Sequence, residues 1–449
     1  MTSITTPPAP DARVIRKVAL ASTVGSIIEW YDFALFGVAA GVVFNKLFFP
    51  ADDPLVGTML AFAVNAVAFF IRPVGGVIFG HFGDRIGRRK VLAITLVIMG
   101  ASTTLIGLLP TYEQIGVAAP VLLILVRCLQ GLGAGAEFSG AVIMVAEYAP
   151  EKKRGLYTSL PNTGVAVGLL LATGLFTLVL QLPEAALLSW GWRIPFLISA
   201  VGVGIGLYIR LRLDETPEFA ALQEKEDKPR RMPAMQLLQT QGRAVVVGIL
   251  ACFAESSTSY LAKTFVLAYV ADQLGLSEQI GLTAVMVASA VSIATIPLFG
   301  HLGDRFGRRR VYLVGTVFVG LFVAPFFLLL NTKSSMLIVL AVVGLYALGV
   351  RAMSGTQGAY LSEMFKPDVR FSGVAFAREI SSPLAGGVAP LIATALLAAT
   401  GTWWSVAAYI AAMSVISAVA VIIGPGTPKP ARPQAPEVVV EQAATATGA

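Results

Sequence analysis

A basic, glycine-rich segment occurs twice in this chain, and the two copies lie half a chain apart. The first is GHFGDRIGRRK at 80–90 and the second is GHLGDRFGRRR at 300–310, with 220 positions between Asp84 and Asp304. Each copy follows one long apolar run and precedes another, so each is expected to form a tight turn between two membrane spans. The repetition predicts a chain that is built from two similar halves.

The composition agrees with a membrane protein. Of the 449 residues, 56% are hydrophobic and only 13% are charged, which is unlike an ordinary soluble protein. The chain is long enough for twelve spans of about 20 residues each. We expect an all-α membrane protein whose twelve transmembrane helices form two pseudo-symmetric six-helix bundles, with spans at roughly 18–44, 55–79, 91–109, 118–144, 157–180, 192–211, 244–270, 280–299, 311–330, 336–359, 371–398 and 402–423.

Lysine and arginine are concentrated in alternate loops between these spans, as at 85–90 and 305–310. Because such basic loops stay on the cytoplasmic side, we expect a multi-pass plasma-membrane protein with both termini in the cytoplasm. The same loops explain the net charge of +7 without a nucleic-acid partner. The predicted units are a cytoplasmic N-terminal tail at 1–17, a first bundle at 18–211, a cytoplasmic central loop at 212–243, a second bundle at 244–423 and a disordered cytoplasmic tail at 424–449.

Both repeated segments match the pattern Gly-x-x-x-Asp-Arg-x-Gly-Arg-Arg/Lys, which resembles the loop signature of the major facilitator superfamily. A second repeat places a glutamate seven residues before an arginine, and it resembles the Glu-x6-Arg element of sugar porters. The resemblance implies a cytoplasmic gate between the halves. The candidate gate residues are Gly80, Asp84, Arg85, Arg88, Glu147, Arg154, Gly300, Asp304, Arg305, Arg308, Glu363 and Arg370.

The gate residues are expected to form two clusters. An aspartate can cap the start of a helix, where exposed N–H groups and the helix dipole favour an anion. By the resemblance, Asp84 faces the start of span eleven near Phe371, with Arg154 and Glu147 beside it. Asp304 faces the start of span five near Tyr157, and Arg370 and Glu363 complete that cluster.

Span one contains two acids on one helix face, Glu29 and Asp32, in the string EWYDF. Acids inside an apolar run are costly and normally face a cavity or a partner. Span four carries Arg127 and Gln130, and helix rise puts Arg127 at a depth close to that of Asp32. These strings resemble the metabolite:proton symporter branch, which includes shikimate, citrate, α-ketoglutarate and proline/betaine carriers. The resemblance implies proton coupling by Asp32 or Glu29 together with Arg127.

The second half also carries polar residues inside its spans. Glu255 and Lys263 share a face of span seven, which indicates either a wet cavity or hydrogen bonding between helices. Span eleven contains the Arg378–Glu379 pair, which departs from the shikimate-type pattern of an aromatic and an amide and leaves the substrate open. The candidate substrate-binding residues are Trp30, Tyr31, Gln130, Glu255, Tyr260, Lys263, Arg351, Gln357, Arg378 and Glu379.

These patterns predict a proton-coupled symporter that imports a small organic anion, such as shikimate or another carboxylate metabolite, by alternating access. Buried cations favour an anionic substrate, because an unpaired buried charge is costly. The alternatives are a symporter of a zwitterionic osmolyte such as proline or betaine, a transporter-like sensor, and a channel. An enzyme is not expected, since the sequence shows no nucleophile–base set or metal-ligand cluster. The expected partners are the substrate, protons and the lipid bilayer, with no cofactor or metal, and the chain is expected to work as a monomer.

Overall fold

The computed structural model describes residues 12–50, 54–216 and 233–424. Most of the predicted N-terminal tail, residues 217–232 of the predicted central loop and the predicted tail beyond Gly424 lie outside these ranges. Within them, twelve helices are long and apolar enough to cross a membrane. They are α1 Ala12–Leu47, α2 Met59–Ile86, α3 Arg88–Leu108, α4 Ala118–Tyr148, α5 Glu151–Val179, α6 Glu184–Leu211, α7 Met235–Gln273, α8 Gln279–Phe306, α9 Arg308–Asn331, α10 Ser335–Met364, α11 Arg370–Thr400 and α12 Trp404–Ile423.

The helices pack as two bundles of six. In the first half α1 packs along α5, α2 along α4, and α3 against α4 and α6. In the second half α9 packs against α12 and α10, and α7 packs against α11. The halves meet where α2 contacts α11 and where α5 contacts α8 and α10. Since α2 corresponds to α8 and α5 to α11 in a twofold arrangement, the interface follows the sequence repeat and confirms the predicted fold class.

The repeated segments are not loops over most of their length. The helix that contains α2 continues to Ile86, and α3 begins at Arg88, so one residue separates them. The same holds at the second copy between α8 and α9. The break is a glycine with positive φ in each case, +111° at Gly87 and +98° at Gly307. The turn in each segment is therefore shorter than the sequence predicted. A single glycine is sufficient because it has no side chain and adopts this backbone conformation without strain.

The other glycines of the repeat serve helix packing instead of turning the chain. A methyl group on Gly83 would lie 2.9 Å from the ring of Phe371 on α11, and one on Gly80 would lie 3.2 Å from Ser372 Cα. In the second repeated segment, a methyl group on Gly300 would lie 2.7 Å from the carbonyl oxygen of Gly155. The helices of the two halves thus cross with their backbones in contact. We call this end of the molecule, where α2 meets α3 and α8 meets α9, the loop end.

Both described ends of the predicted central loop have defined structure. Helix begins at Pro233, with a kink at Gln241, so the last part of the predicted central loop is helical. Glu215, just after α6, accepts hydrogen bonds from the backbone N–H groups of Arg88 and Arg89 at 3.1 and 3.3 Å. The chain after the first bundle therefore caps the start of α3 and packs against the first repeated segment.

The close crossing of α5 and α8 generates a test. Gly155→Ala is expected to lower the melting temperature of the purified protein, because its methyl group would lie 2.5 Å from the carbonyl oxygen of Gly300. Overpacking of this kind costs about 1–3 kcal/mol. Gly174→Ala is the matched control on the same helix, since a methyl group there has no neighbour within 4 Å. Equal melting temperatures for the two variants would contradict the crossing.

Candidate functional site

At the loop end, Asp84 of the first half caps α11 of the second half. Its carboxylate accepts hydrogen bonds from the backbone N–H of Ser372 at 2.9 Å, the Ser372 hydroxyl at 2.8 Å and the backbone N–H of Phe371 at 3.3 Å. The side chain of Asp84 is fully buried. The structure thus places Asp84 at the helix start named from the sequence, where the helix dipole also favours its charge.

Glu147 lies beside this cap and connects two arginines. Its carboxylate is 3.2 Å from Arg88 Nη2 and 3.7 Å from Arg370 Nη1, and Arg88 is also 3.6 Å from Asp84. Arg370 therefore belongs to the cluster around Asp84. The expectation that it joins Asp304 and Glu363 is wrong on this point, because Arg370 opens α11, whose first turn lies against α2.

Asp304 forms the counterpart cluster at the start of α5. Its two carboxylate oxygens accept the backbone N–H groups of Gly155 at 2.7 Å and Leu156 at 2.8 Å. Arg308 lies 2.8 Å from Asp304 and also binds Glu363. Each half thus caps a helix of the other half, and the two caps with their ion pairs close the loop end.

The remaining gate candidates have different positions. Arg85 and Arg305 are exposed, and the Arg305 guanidinium lies 5.4 Å from the ring centroid of Phe306. Arg154 begins the α-helical part of α5, directly before the two N–H groups that bind Asp304. Gly80 and Gly300 contribute close packing, as described above.

A small central cavity of about 40 Å³ lies between the halves. Three of its walls are π-helical segments, Leu261–Phe265 of α7, Val343–Val350 of α10 and Ser382–Gly387 of α11. Such segments are common at functional sites. Of the residues proposed from the sequence to bind substrate, those that line the cavity are Trp30, Glu255, Tyr260, Lys263, Arg351, Arg378 and Glu379.

Three other candidates lie away from the cavity walls. The Tyr31 hydroxyl donates a hydrogen bond of 2.7 Å to the Pro195 carbonyl within the first half. This hydrogen bond turns Tyr31 toward α6 and away from the cavity that Trp30 lines. Gln130 binds Arg127 inside the first half, and Gln357 accepts a hydrogen bond of 2.7 Å from Arg378. Gln357 therefore acts behind the cavity wall.

Asp32 is buried against hydroxyl groups. The hydroxyls of Thr103 and Ser199 each donate to its carboxylate at 2.7 Å. Arg127 reaches Asp32 indirectly, because Arg127 binds Gln130 and Gln130 donates to Thr103 at 2.7 Å. The acid and the arginine that the sequence paired are thus joined by a chain of hydrogen bonds.

Arg127 is also enclosed by rings. Its guanidinium lies 4.0 Å from the ring centroid of Phe36 and 4.7 Å from that of Phe33, and it binds the Asn65 side chain. These cation–π contacts stabilise the positive charge without neutralising it.

Sequence reasoning missed Arg72, which joins the two halves beside the cavity. It binds Glu29 of α1 at 2.7 Å and Glu379 of α11 at 2.8 Å, and all three side chains are buried. A signal was present, since Arg72 is the only charged residue in the apolar run 55–79. Glu29 and Asp32, which the sequence offered as alternative proton-coupling residues, therefore have different partners.

A second missed pair stabilises the first half. Arg210 of α6 binds Glu137 of α4, and the Thr95 hydroxyl donates to the same carboxylate at 3.2 Å. The printed partners of this pair, Thr95 and the carbonyl oxygen of Leu92, also belong to the first half. Among the described residues, no group of three His, Cys, Asp or Glu side chains is arranged to hold a metal ion.

The first cap generates a test of the gate. Asp84→Asn is expected to open the loop end, because an amide loses the charge that faces Arg88 and the start of α11. Hydrogen bonds to charged groups contribute about 1.5–3 kcal/mol, so the balance between closed and open states should shift by about tenfold to a hundredfold. The measurement is the labelling rate of cysteines introduced at the loop end. Asp304→Asn should act in the same direction.

Asp272→Asn is the control for both variants, because Asp272 is exposed near the end of α7. Unchanged labelling and transport in Asp84→Asn, with normal membrane insertion, would show that the cap does not hold the gate.

Comparison with known proteins places these features in context. Residues 18–241 match the family model described as Sugar (and other) transporter, and residues 245–446 match the Major Facilitator Superfamily model. The shikimate transporter of Escherichia coli K12 is 40% identical over 411 residues, which cover 91% of this chain and 94% of that protein. The proline/betaine transporter of the same organism is 36% identical over 418 residues, covering 90% and 82%.

A solved structure shows the same fold. The proton:xylose symporter XylE bound to 6-bromo-6-deoxy-D-glucose superposes with a TM-score of 0.76 at 18% identity, covering 91% of this chain and 95% of that one. At this identity the likeness concerns the fold alone.

Proposed function

The chain belongs to the major facilitator superfamily, and we propose that it is a proton-coupled symporter that imports a small organic anion by alternating access. Its relatives are transporters, which are not enzymes, and its twelve apolar helices make it a multi-pass membrane protein. The proposal rests on the central cavity between the halves. Four cationic side chains line this cavity, and the molecule is closed at the loop end.

The proposed orientation follows from charge. The loop end carries the arginines of both repeated segments, and basic segments remain on the cytoplasmic side of a membrane. We therefore assign the loop end and both termini to the cytoplasm, with the bundles at 18–211 and 244–423 and the central loop at 212–243. In this orientation the structure represents a state that is closed toward the cytoplasm.

Alternating access requires the two caps to break. Asp84 and Asp304 each bind a helix of the opposite half, so separation of the halves at the loop end exposes both carboxylates to water. Water then replaces the lost N–H donors and limits the cost of opening. Substrate and proton together supply the remaining free energy by binding the two states with different affinity.

Asp32 is the proposed proton-coupling residue. Protonation would remove the negative charge that Arg127 faces and would reverse one of the hydrogen bonds from Thr103 and Ser199, since a protonated carboxyl group donates. Thr103 also receives the hydrogen bond from Gln130. A change at Asp32 is therefore transmitted along this chain to Arg127 and to the packing of α1 against α4.

The proposed substrate is a carboxylate metabolite such as shikimate. Support comes from the cationic cavity and from the similarity to the shikimate transporter over nearly the whole chain. The second candidate is a zwitterionic osmolyte. It is favoured by the similarity to the proline/betaine transporter over 90% of the chain.

Proton coupling is tested with Asp32→Asn in vesicles that contain the purified protein. We expect the variant to lose accumulation of labelled shikimate driven by a pH gradient, and to retain exchange of labelled for unlabelled shikimate, which needs no net proton movement. Glu29→Gln should chiefly lower stability, because it removes one of the two carboxylates that bind Arg72. Glu184→Gln is the control, since Glu184 is an exposed residue paired with Lys46. Normal accumulation with normal pH dependence in Asp32→Asn would place the coupling site elsewhere.

A further inference from the structure

We propose that Lys263 binds the single carboxylate of the substrate, and that the net charge of the central cavity selects monocarboxylates over dicarboxylates and zwitterions. The inference rests on the proposed function, because it names the substrate class of the same cavity. It goes beyond that function in assigning one residue to the carboxylate and one charge to the substrate.

Lys263 projects from the π-helical segment of α7 into a cage of three aromatic rings. Its Nζ lies 5.0 Å from the ring centroid of Tyr260, 5.5 Å from that of Trp30 and 5.9 Å from that of Tyr346. Trp30 belongs to the first half and the other two rings to the second, so the ammonium group lies where the halves meet. Within the described ranges, no carboxylate oxygen of the protein lies within 4 Å of Nζ.

The rings hold this cation but do not neutralise it. A cation–π contact contributes about 0.5–2 kcal/mol and leaves the formal charge and the N–H donors in place. The ammonium group therefore remains able to donate hydrogen bonds to an anion that enters the cavity.

The other three cations of the cavity already have protein partners. Arg72 is bound by Glu29 and Glu379. Arg378 donates to Gln357 at 2.7 Å and lies 3.9 Å from Glu379. Arg351 binds the hydroxyls of Ser292, Ser354 and Tyr346. Their donors hold the walls in place, whereas Lys263 is directed at the space between the walls.

Charge balance limits the substrate to one negative charge. Four cations and the carboxylates of Glu255 and Glu379 line the cavity, and Glu29 offsets a third positive charge through Arg72. Among the residues that the structure describes, one positive charge at the cavity is left without a counterion. A monocarboxylate neutralises this charge. A dicarboxylate would leave a buried negative charge, and a zwitterion would leave the positive charge in place. Both are disfavoured because an unpaired buried charge is costly.

The occupied cage also disfavours a quaternary ammonium ligand. Aromatic cages bind such cations through ring faces. Here Lys263 already occupies the three faces, so a betaine headgroup would meet a like charge at the same place. The cavity further offers the hydroxyls of Ser256, Ser259 and Ser382, which suit a substrate that carries hydroxyl groups.

The first experiment measures uptake of shikimate, a hydroxylated monocarboxylate, and of its uncharged methyl ester into vesicles. Lys263→Gln is expected to raise KM for shikimate by about tenfold to a hundredfold, the equivalent of one charge-assisted hydrogen bond. Binding of the ester, measured by competition, should be unchanged, and Lys263→Arg should restore part of the affinity. Lys46→Gln, which removes an exposed lysine of α1, is the control for abundance and transport. An unchanged KM for shikimate in Lys263→Gln would overturn the assignment.

The second experiment tests charge balance by competition of α-ketoglutarate and glycine betaine with shikimate uptake. Neither should compete in the wild type, whereas Glu255→Gln adds one net positive charge and should admit α-ketoglutarate. If the wild type carries α-ketoglutarate as readily as shikimate, the charge rule is wrong but anion symport stands. If the wild type transports glycine betaine and no carboxylate, the proposed function is wrong as well.

Discussion

The structure depends on two carboxylates that cap helices across the interface between the halves. Asp84 binds the first turn of α11 and Asp304 binds the first turn of α5, each through two backbone N–H groups. A helix start has N–H groups without partners inside the helix, so an aspartate there satisfies donors and helix dipole together. The same donors and carboxylates are well solvated once separated. The gate can therefore be firm when closed and still open at a moderate cost, which a transporter needs in order to alternate between states.

The helix pair α2–α11 links this gate to the cavity. α2 carries both Asp84 and Arg72, and α11 carries both Ser372 and Glu379. At 1.5 Å per residue, about 18 Å of helix separates Arg72 from Asp84. Both contacts join the same two helices, so a displacement of α11 that weakens one also acts on the other. Substrate that rearranges the charges around Arg378 and Glu379 can thus influence the gate through one rigid element, without a separate signalling segment.

The sequence predicted the repeated segments and the features that depend on residues close together in the chain. The matching segments at 80–90 and 300–310 indicated two halves. Helix-end chemistry indicated that Asp84 can cap a helix, and the family resemblance identified that helix as span eleven. The sequence said less about which side chains of distant helices bind each other. Arg370 was assigned to the wrong cluster because its partner depends on how α11 lies against α2. Tyr31 was wrongly given to the cavity because the facing of a buried helix cannot be derived from an apolar run that is hydrophobic on every side. Arg72 was overlooked for the same reason, although its charge was visible.

The partners of the two acids in α1 favour Asp32 over Glu29 as the proposed proton-coupling residue. Glu29 binds Arg72, whose guanidinium only donates hydrogen bonds. Protonation of Glu29 would leave a buried arginine with one carboxylate fewer, at a cost of several kcal/mol. Asp32 binds Thr103 and Ser199, whose hydroxyls can donate or accept. Both protonation states of Asp32 can therefore be satisfied by rotation of two hydroxyls. A carboxylate that gains and loses a proton in every transport cycle needs partners of this kind, and α1 provides them for only one of its two acids.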